Sequence, residues 1–369
     1  MADLRDKLRA LPCGAALLDA AVAGTYLVGG AVRDLLRGEQ PHELDVAVVG
    51  DPAPLMGGLG GEPRQHERFG TASVRLGGCR IDVAIARAER YPSPGALPEV
   101  WPAQMEDDLA RRDFTVNAIA VDLVDGTTRA APHALDDLRD GLLRVLHDRS
   151  FLDDPTRLWR LARYSARLGF AVEERTARLA REAVAAGALR TVSGTRIGNE
   201  LRLALEEADP VAALQSAVEL GLAPWLDPDP ARIARALEIL PAEGDRALTV
   251  LAAAARHPLP ELGFTASMVR AARAAPAPRA GASPSEAAKA FDGVPVEAIA
   301  ATGTPEAERW LRTDRHRRLA ITGEDLLAAG VREGPELGQR LRAVREALLD
   351  GRVGDDREAQ LGIALASPP

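Results

Sequence analysis

The sequence predicts an α+β protein, with a small α/β head at the N-terminal end and helices from there on. Two observations carry this. Between Tyr26 and about Val124, short Val- and Ile-rich runs (26–28, 44–49, 72–76, 81–85 and 116–123) alternate with Gly and Pro breaks, the pattern of buried strands with one or two helices between them. After Asp136 those runs fade, and apolar residues recur at helical spacing instead. At 369 residues the chain suits two or three modules rather than one small core.

Taken in order, residues 1–25 read as an apolar-periodic helix packed on the head. The Gly- and Pro-rich stretch 50–70 reads as a partly mobile connection, and 91–98 as a structureless one. Residues 136–147 lead into a helix over 155–169. There Asp154 is the expected cap, Pro155 sits in the first turn where its missing N–H costs nothing, and Gly169 is the stop. Helices are expected over 173–187, 193–207 and 210–221. Beyond Pro228 the chain becomes Ala- and Pro-rich, with 272–285 as an irregular bridge, and character returns at 321–338 and the helix after it. The expected domains are an N-terminal helix (1–25), a head (26–135), a helical neck (136–225), a divergent helical body (226–310) and a helical tail (311–369).

Composition limits the function classes. No apolar run approaches the roughly 20 residues that a membrane span needs, and the charged N-terminus has no signal-type apolar core, so a soluble, cytoplasmic protein is expected. Cys13 and Cys79 are too few for a disulfide framework or a thiolate metal site and read as buried free thiols. The net charge of −8 speaks against a generally basic nucleic-acid binder. Lysine occurs only at Lys7 and Lys289, so positive charge is almost all arginine, concentrated at 157–167 and 312–318. The planar guanidinium fork suits bidentate contacts to phosphate and base edges.

The motifs point to a triphosphate site. Tyr-Leu-Val-Gly-Gly-Ala-Val-Arg-Asp at 26–34 is an apolar strand ending in two glycines that open a helix, a place where backbone N–H groups can meet an anion. Glu43 and Asp45 follow, two apart on a strand and so on one side of it, where they can hold a divalent metal. Asp82 is the one acid of the run 80–87, either a third carboxylate or a partner of Arg75 or Arg87. Arg33 lies one helical turn past the glycines, placed to neutralise phosphate or to pair with Asp34 or Glu39. A dense polar cluster at 107–120 contains Arg111, Arg112, Asp113 and Asn117, and the helix over 155–169 carries Asp154, Arg157, Arg160, Arg163 and Arg167. His147-Asp148, the only His-Asp step, lacks the further histidines of a metal phosphohydrolase and reads as a surface pair.

In order along 26–221, these motifs resemble class II tRNA nucleotidyltransferases, the family of bacterial and eukaryotic CCA-adding enzymes and bacterial poly(A) polymerases. The segment 321–338 resembles the C-terminal segment of longer bacterial members, whereas 230–310 diverges. The sequence departs from the family where Glu43 replaces the usual first Asp and Asp153 the usual Glu. The resemblance implies a mixed-sheet, polymerase-β-like head followed by an all-α neck, body and tail. It implies Mg²⁺ on Glu43 and Asp45, triphosphate at Gly29, Gly30, Arg33, Arg111 and Arg112, and ribose at Asp113 with Asn117 supporting the loop. Asp154 and Arg157 would read the base of CTP or ATP, since a carboxylate accepts from the exocyclic amine and a guanidinium donates to ring acceptors. Arg160 and Arg163 would approach phosphate or the primer end. Arg196 and Glu200 would form an ion pair that supports the base-reading helix. The implied partner is the 3′ end of tRNA, with monomer and dimer both open. The alternatives are a poly(A) polymerase, an enzyme adding only CC or only A, and a catalytically silent RNA-binding protein.

Overall fold

The computed structural model describes residues 4–60, 64–66, 71–76, 78–256 and 259–366. By its contacts the chain divides into two units, 1–200 with 219–222 and 201–218 with 223–369.

The first unit is built on a seven-stranded sheet. Its strands are β1 (Thr25–Val28), β2 (Leu44–Val48), β3 (Arg64–His66), β4 (Thr71–Leu76), β5 (Cys79–Ile85) and, after a separate hairpin of β6 (Arg87–Arg90) with β7 (Glu99–Pro102), β8 (Ile119–Asp122) and β9 (Thr128–Ala130). The spatial order is β3-β4-β5-β2-β1-β8-β9. Only β2 and β5 run parallel, so the sheet is mixed, as the resemblance implies.

Strand alternation decides what each face carries. Leu27, Leu44, Val46, Val48, Ile81 and Val83 turn to one face, where helices α1 (Leu4–Arg9), α2 (Gly14–Ala20), α3 (Gly30–Arg37) and α4 (Ala53–Leu59) bury Leu8, Leu17, Val32 and Leu55 against them. Tyr26, Val28, Ala47 and Ala120 turn to the other, against Met105 and Leu109 of α5 (Met105–Ala110). Asp45 shares the parity of Ala47, and Asp82 is its register partner across β2 and β5. Both acids therefore lie on the α5 face.

Several expectations are refined. The N-terminal segment is two helices, not one. The run 116–123 opens with a 3₁₀ turn at Thr115–Asn117 before β8. Segment 91–98 does lack a strand, but it closes the β6–β7 hairpin, which the sequence did not reveal because its exposed charged strands show no apolar alternation. Within 50–70, α4 and β3 are ordered elements; 61–63 and 67–70 lie outside the described residues. The two cysteines are corrected outright. Cys13, just before α2, and Cys79, at the start of β5, form a disulfide with their Cα atoms 6.2 Å apart.

After the sheet come α6 (Ala134–Asp140), a short parallel pair of β10 (Leu142–Leu143) with β11 (Ala171–Val172), α7 (Ser150–Asp153), α8 (Thr156–Leu168), α9 (Glu174–Ala185) and α10 (Gly194–Leu205). Helix α8 ends at Gly169 in the left-handed conformation (φ +65°), as its sequence predicts. Its start is capped by Asp154, whose Oδ1 accepts from the Thr156 N–H at 3.1 Å and the Thr156 hydroxyl at 2.6 Å.

The described part of the second unit is helical. Phe291 and Trp310 pack among Ala287, Ala298, Ala300 and Ala307, and a further cluster joins Ile321, Leu326, Val344 and Ala364. Among the described residues, no helix is long and apolar enough to cross a membrane.

Candidate active site

A cavity of about 510 Å³ opens in the first unit and gathers Gly29, Gly30, Arg33, Glu43, Asp45, Arg111, Arg112, Asp113, Asn117, Asp154, Arg157, Arg160 and Arg167. Of the residues expected at the site, Asp82 and Arg163 do not line it. A second cavity of about 330 Å³ holds Asp82, Ser73 and Arg80, and Asp45 lines both.

The glycine turn is dictated by sterics. Gly29 has φ +69°, and a Cβ there would stand 2.6 Å from Arg112 Nη1, so only glycine fits between β1 and α3. Its N–H donates to the Ile119 carbonyl, which ties the turn to β8.

Glu43 lies just before β2 and is half exposed; Arg80 Nη1 is 3.9 Å away. Burial, then Glu43, push the Asp45 carboxyl up to about 6, with Asp82 adding to the rise and Arg112 opposing it. Asp82 is held by Arg80 at 2.9 Å and by the Ser73 hydroxyl at 2.5 Å, so neither Arg75 nor Arg87 is the partner named for it. No group of three or more Asp, Glu, His or Cys among the described residues could hold a metal ion alone. The donor set nevertheless fits a hard dication. Accumulated negative charge on Asp45 is what such an ion neutralises, and Mg²⁺ habitually takes one or two carboxylates with substrate phosphate and water.

The wall opposite is a chain of desolvated charge. Arg33, 2% exposed, pairs with Asp34 (2.7 Å) and donates from Nη1 to Asn117 Oδ1 at 2.6 Å. Asn117 Nδ2 donates to Asp113 Oδ1 at 3.0 Å, and Arg160 grips Asp113 Oδ2 from Nε at 2.7 Å and Nη2 at 2.6 Å. Burial raises the Asp113 carboxyl, but Arg160 and Asn117 outweigh it and hold the group down at about 2. With Phe114 N–H as a further donor, the lone-pair sites of Asp113 are filled, so a ribose hydroxyl reaches it only as Arg160 or Asn117 lets go. Arg111 and Arg112 both close on Asp108, at 2.6 and 2.8 Å, and Arg112 also donates to the Asn117 carbonyl.

At the far end, Asp154 and Arg157 line the cavity without bonding each other. Arg157 donates to Ser150 Oγ and the Arg111 carbonyl, both at 2.7 Å, and lies 3.4 Å from Glu89. Asp154 Oδ1 accepts from Arg196 Nη2 at 2.8 Å, and Arg196 Nη1 donates to the Gly95 carbonyl. The expected Arg196–Glu200 pair is therefore corrected. Arg196 turns to the cap of α8 instead, and Glu200 Oε2 has no hydrogen-bond partner, with burial pushing its carboxyl up. Arg163 is buried beside the Tyr164 ring, 5.4 Å from its centroid.

Sequence reasoning missed Glu89, Tyr91, Asp108 and Tyr164. Two of these carried a signal. Asp108 stands three and four residues before Arg111 and Arg112, and Tyr164 four after Arg160, the spacings at which helical side chains meet. Tyr164 lies under three guanidinium groups, those of Arg33, Arg160 and Arg163.

Acids on a mixed sheet beside a glycine turn, facing a helix of arginines, define a nucleotidyltransferase-type head. A family model described as the poly A polymerase head domain matches residues 25–144. The CC-adding tRNA nucleotidyltransferase of Deinococcus radiodurans is 33% identical over 362 residues, 93% of this chain and 90% of that protein. The chain thus belongs to the tRNA nucleotidyltransferase family, which is generally dependent on divalent metal. The A-adding tRNA nucleotidyltransferase of Geobacter sulfurreducens is 40% identical over 58% of this chain, and the chain spans only 25% of its length and 23–48% of the length of two further A-adding relatives. The solved Thermotoga maritima CCA-adding enzyme complexed with tRNA is similar in fold, with a TM-score of 0.70 and 26% identity over 96% of this chain and 98% of that one.

Proposed function

We propose that the chain adds CMP and AMP, from CTP and ATP, to the 3′ end of tRNA in the cytoplasm, building or repairing a CCA end. The observation that carries this reading is the single cavity joining Asp45 and the glycine turn to Asp154 and Arg157. One end suits a metal and triphosphate, the other a base edge. The tRNA complex of the Thermotoga relative and the family membership support the choice of substrate.

In the reaction, the RNA 3′-oxygen bonds to the α-phosphorus, the α–β bridging P–O bond breaks, and pyrophosphate leaves. Mg²⁺, which Glu43 and Asp45 would hold, would supply activation of the hydroxyl and charge neutralisation of the leaving group. Gly29 and Gly30 let the β- and γ-phosphates close on the start of α3, with Arg33 and Arg112 behind the turn. Arg111 and Arg160 meet phosphate, and Arg160 thereby frees Asp113 for the ribose. The three hydrogen bonds described on Asp154 all fall on Oδ1, and Oδ2 accepts from the N4 amine of cytosine or the N6 amine of adenine. The Arg157 fork donates to ring acceptors. Uracil and guanine would turn a carbonyl oxygen toward Asp154, a mismatch of roughly 1–3 kcal/mol per lost contact.

One observation favours a second reading, addition of CC alone: a relative that the chain matches over 93% of its length is CC-adding. The test is incorporation of labelled CTP and ATP with Mg²⁺ into tRNA cut back to its discriminator base. Three residues, C, C and A, are expected. A stop after CC, or activity only on ends already carrying CC, selects a divided-labour enzyme; long A tails on arbitrary RNA select a poly(A) polymerase. No incorporation at all leaves the RNA-binding alternative.

A further inference from the structure

The wall around Asp113 leaves one acceptor unused. Arg160 holds Asp113 Oδ2 from Nε at 2.7 Å and from Nη2 at 2.6 Å, and Nη2 also donates to the Tyr164 hydroxyl at 3.1 Å. A second carboxylate acts on the same guanidinium. Glu200 lies on α10 four residues past Arg196, and so on the same face of that helix, while Arg196 meets Asp154 at the start of α8. That step carries Glu200 along α8 to Arg160 and Arg163, the two cations that oppose the rise of its carboxyl. Its Oε2 is closed off from solvent and accepts no hydrogen bond, and Glu200 does not line the cavity. A buried acceptor without a donor is costly and calls for one in some working state of the protein.

We infer that Glu200 is a positioning residue for sugar selection: it is the second seat of the Arg160 guanidinium, taken when a ribose 2′-hydroxyl replaces Arg160 on Asp113. The inference rests on the reading of the cavity as a nucleotide site. Asn117, Phe114 and Arg160 fill the lone-pair sites of Asp113, so a ribose hydroxyl binds there at the expense of Arg160. A guanidinium displaced with no carboxylate in reach would lose its charged partner in a partly buried wall. With Glu200 beside it, the exchange trades one carboxylate for another, and the Tyr164 hydroxyl, already an acceptor for Nη2, steadies the group between them. A guanidinium has five N–H donors, so an edge given to Glu200 leaves others for phosphate. A 2′-deoxynucleotide brings no such hydroxyl, leaves Arg160 on Asp113 and makes no call on Glu200. The base-reading end at Asp154 and Arg157 takes no part.

The test compares the full chain with Glu200→Gln and Glu200→Asp. Affinities for CTP and dCTP with Mg²⁺ are read by calorimetry, and relative kcat/KM by single-nucleotide incorporation into tRNA cut back to its discriminator base. In Glu200→Gln the preference for CTP over dCTP is expected to fall about tenfold, through weaker CTP and unchanged dCTP, the size of one lost charge-assisted contact. The shorter carboxylate of Glu200→Asp should keep part of the preference, and this variant carries the test where Glu200→Gln fails to fold. The ranking of CTP and ATP over UTP and GTP should stay as it is in the wild type. Equal weakening of CTP and dCTP would make Glu200 a plain support of α8 and overturn the inference. A wild-type protein that binds neither CTP nor ATP overturns the proposed function and this inference together. One that binds both, but shows no preference for CTP over dCTP or keeps that preference in every folded Glu200 variant, overturns the inference alone.

Discussion

The unit that carries the cavity buries more of its charge than the other, where Glu306 and Asp314 are the buried acids among the described residues. In residues 1–200 the buried set includes Arg33, Asp34, Asp108, Asp113, Arg157 and Arg163. In the second unit, the core around Phe291 and Trp310 is lined by small apolar residues, and pairs such as Arg345–Asp292 and Lys289–Glu346 lie at the surface. Apolar packing is the stronger source of stability, since removing charges from water often costs as much as their attraction returns. Buried pairs instead fix where a functional head points, before any substrate arrives.

The sharpest way to break this comparison is at Asp45, the residue proposed to hold metal. Asp45→Asn keeps the size of the side chain and removes the ligand charge, so nucleotide transfer should fall at least about a thousandfold. The melting temperature should not fall, because the change also removes repulsion between Asp45 and Glu43. Near-normal single-turnover incorporation would remove Asp45 from the metal site.

Next in size is Asp113→Ala, which removes a buried carboxylate from the Arg160 guanidinium, itself 29% exposed, and takes an acceptor from Asn117. Stability should drop by about 3–5 kcal/mol in a denaturant titration. A loss below about 1 kcal/mol would show that water reaches the pair and that it behaves like a surface bridge.

The head was legible in the sequence because its elements obey local rules. The alternation of 44–48 and 81–85 places Asp45 and Asp82 on one face whatever surrounds them, and Gly169 ends α8 by its own backbone freedom. What stayed hidden depends on contacts distant in sequence. Arg196 meets Asp154 across 42 residues, Glu89 meets Arg157 across 68, and Cys13 meets Cys79 across 66. In each case the residue type was visible and its partner was not. A nearer choice, Glu200 four residues from Arg196, lost because the helix N-terminus brings Asp154 within reach.

The disulfide supplies a third test. It closes a long loop between α2 and β5, and the Cys13→Ser/Cys79→Ser variant should be less stable by about 2–4 kcal/mol than the oxidised protein, and close to the protein treated with a dithiol reductant. Alkylation by a thiol reagent under denaturing, non-reducing conditions would show free cysteines if the bond is absent, and then the double variant should match the wild type.

Acid should act on the first unit through Asp113. Its folded value of about 2 lies below the ordinary 3.8, so the protonated form is disfavoured in the fold. The contribution, roughly 2 kcal/mol, is fully present above about pH 4 and lost as pH falls through about 2. Asp113→Asn should flatten that limb of a stability profile; an unchanged slope would assign the loss to other carboxylates.

The smallest expected effect lies in the second unit and completes the contrast. Arg345 and Asp292 meet at 2.6 Å, closer than many buried pairs, but their side chains are 39% and 55% exposed. Solvent screens the attraction, and holding a long side chain still costs entropy that short distance alone does not return. Arg345→Met keeps an unbranched apolar stem while removing the charge, which isolates the ion pair from packing. It should cost about 0.5 kcal/mol, and that difference should shrink further in high salt, whereas the loss in Asp113→Ala should hardly respond. Equal losses at the two sites, or equal salt sensitivity, would mean that burial is not what distinguishes the pairs around the cavity from those at the surface of the second unit.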